Sequence, residues 1–71
     1  MENRKRRELI SEQIREAIEA SGVSRYRIAA DTGLSESMLS LFMAGKRMLS
    51  LQSVDLLATY LDLELVQRRR K

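Results

Sequence analysis

Apolar residues recur along most of this chain at the three- and four-residue spacing typical of α-helices. The first such segment is predicted to form a helix that begins near Asn3 or Arg4 and runs to Ser21, where Gly22 stops it. The stripe that this helix turns inward is predicted to comprise Ile10, Ile14, Ala17, Ile18 and Ser21.

Three shorter helices are predicted to follow, each preceded by a serine that suits an N-cap position. Ser24 precedes a helix over residues 25–32, Ser35 one over residues 36–43 or 36–44, and Ser50 one over residues 51–61. The inward stripe of the last helix comprises Val54, Leu57, Ala58 and Leu61. From 61 to 65 apolar and polar residues alternate, which favours a short C-terminal strand. The pattern therefore predicts an all-α bundle of four to five helices with one optional strand.

The segment 25–45 has the pattern of a helix-turn-helix, in which two short helices are joined by a glycine-containing turn. Its predicted interior comprises Ile28, Ala29, Gly33, Leu34, Leu39 and Phe42. Ala29 is small where the two helices cross, and Gly33 suits a backbone position with positive φ.

The second helix of this unit is predicted to turn small side chains outward. Leu39, Phe42 and Met43 lie on its inner side. The outer side is then centred on Ser37, Leu41 and Ala44, with Met38 and Ser40 on its flanks and Glu36 in the first turn. Such a face lets a helix approach the floor of a DNA major groove, where serine can bond base edges and leucine can pack on thymine methyls. Met38 suits either the core or this surface.

Composition removes most other kinds of function. The 71 residues suit a single domain and include no cysteine and no histidine. Thiol chemistry, thiolate zinc sites and the usual general base are therefore excluded, and we expect no enzyme activity, metal, cofactor or small-molecule ligand. Because no apolar run approaches about 18 residues and the N-terminus lacks an apolar signal stretch, we expect no membrane span and a cytoplasmic location.

The charge distribution is more informative than the net charge of +3. Eight of the 13 basic residues lie in two terminal runs, at 4–7 and 68–71, which either add affinity for phosphates or serve as solvated ends. Residues 8–67 carry nine acids against five cations, a net charge of −4. Four of the acids have helical spacing along the first helix, whereas four of the cations flank the helix-turn-helix. This asymmetry favours oriented docking onto a polyanion.

Residues 22–65, GVSRYRIAADTGLSESMLSLFMAGKRMLSLQSVDLLATYLDLEL, resemble the lambda-repressor-like (Cro/cI, XRE-type) helix-turn-helix family. With the chain length, this predicts one compact domain over residues 1–71, with a basic run at 4–7, a core at 8–62 and a tail at 63–71. The resemblance covers about two-thirds of it. It also implies sequence-specific binding of double-stranded DNA, as a transcriptional regulator associated with the nucleoid or as an engineered DNA-binding protein.

The resemblance also suggests which side chains touch DNA. The residues that the resemblance places at the bases are Ser35, Glu36, Ser37 and Leu41. Met38 and Ser40, on the flanks of the outer face, are expected to join them. The residues expected at the DNA backbone are Ser24, Arg25, Arg27, Lys46, Arg47 and Ser50. Arg25 stands where relatives usually have a glutamine, and Arg27 is equally compatible with an ordinary solvated position.

The chain also departs from the family pattern. Relatives often pair an arginine late in the first helix with a glutamate at the end of the third. Ile18 and Met43 stand at these positions, so we expect a dry contact in place of the ion pair. Leu41 and Met38 are also less polar than is usual on the reading face.

Two further readings use apolar surface. Leu56, Tyr60 and the tail either form a homodimer surface or fold back on their own chain. The alternative function is an antitoxin-like or other protein-interaction module, which would use the Leu56/Tyr60 side or the Met38/Leu41 face.

Overall fold

The computed structural model of the chain describes residues 9–67, which contain four helices. They are α1 (Ile10–Ser21), α2 (Arg25–Thr32), α3 (Glu36–Met43) and α4 (Leu51–Leu61). The predicted bounds of the last three helices are confirmed. The two terminal basic runs and the predicted start of the first helix lie outside the described residues.

The predicted helix is not continuous through Leu9, because α1 begins at Ile10. Leu9 has an extended backbone (φ −69°, ψ 150°) and is the N-cap. Its N–H donates to the Glu12 carboxylate at 3.3 Å. In a continuous helix this N–H would instead donate to a backbone carbonyl of the preceding turn. Residues 1–8 include no proline or glycine, so no residue there signals a helix boundary.

The core lies where the four helices meet. Its buried apolar side chains are Ile14, Ile18, Ile28, Leu39, Phe42 and Leu57. Val54, Ala58 and Leu61 of the predicted α4 stripe are half-buried beside Leu57. Burial of these residues holds α3 against α1, α2 and α4, since side chains from all four helices form the cluster.

Two residues of the predicted α1 stripe are not inward. Ile10 is 51% exposed, so the contact surface of α1 begins one turn later, at Ile14. Ser21 is also exposed. Its hydroxyl donates to the Ile18 carbonyl at 2.6 Å and accepts from the Val23 N–H at 3.1 Å, which closes the end of the helix.

The optional C-terminal strand does not form in the described part of the tail, residues 63–67. Asp62 adopts a left-handed conformation (φ 59°), and the Leu63 N–H donates to the Ala58 carbonyl at 2.8 Å. This turn closes the end of α4, and an alternating segment without a strand beside it has no ladder to join.

Candidate nucleic-acid interface

The helix-turn-helix is formed by α2, a three-residue turn and α3. Gly33 has φ +85°, as predicted, and its N–H donates to the Ala29 carbonyl at 2.9 Å. The Thr32 hydroxyl donates to the Ile28 carbonyl and accepts from the Leu34 N–H, so side-chain bonds continue the backbone pattern into the turn. The unit is therefore fixed locally as well as by its core.

The predicted division of α3 into two faces is confirmed. Leu39 and Phe42 are buried, and Met43 is half-buried against the core. On the opposite side, the outer ridge (Ser37, Leu41 and Ala44) is exposed. Exposed Ser40 and half-buried Met38 flank this ridge. The face expected to meet DNA is thus bare in the folded chain.

All three predicted serine N-caps are formed. The hydroxyl oxygens of Ser24, Ser35 and Ser50 accept from backbone N–H groups at 3.1, 3.2 and 3.1 Å. The Ser50 hydroxyl also donates to Ser53 at 3.1 Å. The hydroxyl protons of Ser24 and Ser35 have no acceptor among residues 9–67, so these two caps can still donate to an incoming ligand.

Three of the cations predicted to contact the DNA backbone, Arg25, Lys46 and Arg47, are exposed to solvent and form no ion pair within the described part of the chain. Arg25 lines a shallow groove together with Glu36, in the first turn of α3. The same groove is also lined by Glu19 of α1, so it carries both signs of charge.

Arg27 differs from these cations because it has a partner. Its Nε lies 3.0 Å from Oδ2 of Asp31, one turn later in α2. The same oxygen accepts a 2.6 Å hydrogen bond from the Tyr60 hydroxyl of α4. Arg27 is 69% exposed, so a modest rearrangement would release it toward a phosphate.

Tyr60, one of the residues considered for a dimer surface, is half-buried, and its hydroxyl is used within the chain. The Tyr60 hydrogen bond holds the pKa of Asp31 below its ordinary value, with a smaller contribution from Arg27, while burial opposes the shift. Reciprocally, the bond to Asp31 raises the pKa of Tyr60. This bond ties α4 to the end of α2.

The sequence analysis missed Arg15, which joins α1 to the last turn of α3. Its Nε donates to the Phe42 carbonyl at 2.8 Å, and its guanidinium carbon lies 4.6 Å from the centre of the Phe42 ring. A cation at a helix C-terminus is favoured by the helix dipole. Its position beside the buried Ile14 was the available signal, because a cation bordering an inward stripe can reach a neighbouring helix.

The predicted dry contact between α1 and α3 is consistent with the packing. Ile18 is buried, and Met43 packs against the cluster to which Ile18 belongs. Arg15 lies one turn before Ile18 and supplies the polar link between the two helices from a different position.

Two other kinds of site find no support in the described residues. Residues 9–67 hold no cluster of acidic side chains that could bind a metal ion. No helix in that range is long and apolar enough to cross a membrane.

A family model described as "Helix-turn-helix" matches residues 14–67. The chain belongs to this family, in its lambda-repressor-like (Cro/cI, XRE) form. Comparisons with curated proteins and with solved structures find no match. Membership supports DNA binding in general and fits a protein without enzymatic activity.

Proposed function

We propose that this protein binds specific sequences of double-stranded DNA with α3 in the major groove, and that it regulates transcription through the position of its site. The observation that carries the proposal is the exposed outer ridge of α3, opposite a buried face and followed by the exposed cations Lys46 and Arg47. The same binding activity would serve an engineered DNA binder. The proposed binding of DNA agrees with the expected location of the protein in the cytoplasm, at the nucleoid.

Phosphate contacts fix the orientation in this proposal. Arg25 approaches the backbone from the start of α2, and Lys46 and Arg47 approach it from the loop after α3. The N-termini of α2 and α4, capped by Ser24 and Ser50, add backbone N–H groups that favour anions. These contacts position the helix without reading sequence.

Base contacts come from α3. Ser35, Ser37 and Ser40 supply hydroxyls, which bond either donors or acceptors on base edges. Glu36 accepts from a cytosine amine, and Leu41 with Met38 supplies apolar contact. Arg27 supports the backbone contacts only after it leaves Asp31.

Selection from random duplexes, followed by binding titrations over a range of salt, tests the proposal. We expect one enriched sequence and an affinity that falls steeply as salt rises. Lys46→Gln should weaken binding to all duplexes alike and reduce the salt slope by about one unit. Lys46→Arg keeps the charge and is the matched control, with an unchanged slope. Failure to bind any duplex in dilute salt would overturn the proposal.

A second copy of the chain is the proposed protein partner, through α4 and the tail. Leu56, Leu65 and Val66 are exposed, and Leu65 is 83% exposed. Light scattering at rising concentration tests this, together with the selected site, which for a dimer is a palindrome with half-sites about one helical turn apart. A monomeric mass with a single short site would exclude the dimer. If the chain instead binds another protein with an affinity that does not change with salt concentration, the alternative of a protein-interaction module is favoured.

A further inference from the structure

The reading face of α3 lacks every side chain that makes two-point contacts to purines. Residues 35–44 read SESMLSLFMA and contain no arginine, lysine, asparagine or glutamine. In the major groove, guanine is read mainly by arginine or lysine, and adenine by asparagine or glutamine. The helix can therefore offer purines only single hydroxyl contacts.

The chemistry that this face does offer matches the edges of pyrimidines. Leu41 is 41% exposed at the centre of the outer ridge, and Ala44 is exposed beside it. An exposed apolar side chain complements the C5-methyl group of thymine. The Glu36 carboxylate complements the amine of cytosine.

The shape of the ridge makes Leu41 its most prominent point. The neighbouring positions on the same surface hold Ser37 one turn before, Ser40 beside it and Ala44 one turn after. These side chains are short, so the helix axis can approach the groove until Leu41 touches the bases. The Leu41 carbonyl accepts from the Lys46 N–H at 2.9 Å, which fixes the backbone at this point.

We infer that α3 recognises its site through pyrimidine C5-methyl groups, with Leu41 as the side chain that contacts them. The inference rests on the proposed function and specifies its ligand: thymine, or 5-methylcytosine, in the major groove. Cytosine methylation at the matching position would then strengthen binding, because it creates the same methyl group on a base that otherwise lacks it.

Base analogues that change only the methyl group test this inference on the selected duplex. Replacing the thymine that faces Leu41 by deoxyuridine removes one methyl and leaves the hydrogen-bonding groups intact. We expect affinity to fall about fourfold, the factor that corresponds to about 0.8 kcal/mol for one buried carbon group. A cytosine at that position should gain a similar factor on 5-methylation. Deoxyuridine outside the selected site is the control duplex and should change nothing.

Protein variants assign the effect to a side chain. In Leu41→Ala, the thymine and deoxyuridine duplexes should bind equally, because the contact is already lost. Leu41→Gln should shift the selected base toward adenine. Leu9→Ala removes an exposed leucine at the N-cap of α1, outside α3, and should keep the methyl preference.

Each outcome separates this inference from the proposed function. If the wild type binds a specific duplex but its affinity does not change with deoxyuridine at any position, the inferred contact with thymine methyl groups is wrong, whereas the proposal of DNA binding remains. If the methyl preference persists in Leu41→Ala, the assignment to Leu41 is wrong. If the wild type binds no duplex, both proposals fail.

Discussion

The inner and outer faces of α3 place two leucines in opposite environments on one short helix. Leu39 is 0% exposed and packs in the core, whereas Leu41, two residues later, lies bare on the outer ridge. Both side chains have the same volume and hydrophobicity, so their environments alone set their roles. The comparison teaches that one face of the helix holds the fold together while the other remains available for recognition.

The largest expected effect separates these two leucines directly. Leu39→Ala should lower the free energy of unfolding by about 2–5 kcal/mol, because it removes buried contacts and leaves a cavity. Leu41→Ala should change it by less than about 0.5 kcal/mol, as expected for a surface site. Urea unfolding followed by circular dichroism measures both. Equal losses would mean that the outer face is also structural.

The next effect concerns the polar link at the end of α3. Arg15→Met should lower the free energy of unfolding by about 1 kcal/mol for the lost hydrogen bond. Loss of the contact with the Phe42 ring adds about 0.5 kcal/mol. The Phe42 carbonyl keeps a second donor, the Gly45 N–H at 3.0 Å, which limits the cost.

Arg27→Met is the matched control, since the ion pair of Arg27 among residues 9–67 is an exposed one within α2. Its removal should cost less than about 0.5 kcal/mol in the same urea titration. If both variants lose equal stability, Arg15 does not hold α3 in place.

A smaller effect is expected at the start of α3. Ser35→Ala should cost about 1 kcal/mol, because the Met38 N–H loses its cap. Ser37→Ala lies two residues later on the outer ridge and should stay within about 0.5 kcal/mol of the wild type. Thermal unfolding of the two variants compares them, and equal melting temperatures would exclude a capping role.

The smallest effect is a pH dependence that tests the link from α4 to α2. The pKa of Tyr60 is raised, so its stabilising bond is present below the ordinary tyrosine value and is lost as pH rises through the folded pKa. The pKa of Asp31 is lowered, so its contribution is present above its ordinary value and is lost as pH falls through the folded pKa.

Tyr60→Phe keeps the ring and removes the hydroxyl. The difference in melting temperature between this variant and the wild type should therefore be largest near neutral pH and shrink at both extremes. A difference that stays constant from acid to alkali would contradict the role of the Asp31 bond.

The features that the sequence predicted well are local ones. Each serine cap bonds an N–H three residues later, and the alternation of inner and outer positions on α3 follows from helix geometry. Gly33 also acts within its own turn. Such features depend on neighbours in the chain, which the sequence displays.

The features that it missed depend on residues far apart. The bond from Arg15 to Phe42 spans 27 residues, and that from Tyr60 to Asp31 spans 29. Periodicity assigns a residue to a face but does not say which polar atom of another helix lies opposite. The optional strand in the tail does not form among residues 63–67, for a related reason. Alternating apolar and polar residues form a strand only where a second strand is available to pair with it.

The shortness of α3 limits how much a single copy can specify. Its eight residues rise about 12 Å, the length of roughly four base-pair steps along a duplex. A sequence of about four base pairs recurs by chance on the order of once every 250 base pairs. This is far too often to define a unique binding site among the competing sites of a genome. Under the proposed function, selective occupation of one site would therefore need a second DNA-binding domain on the neighbouring helical turn, from another copy of the chain or from a different protein.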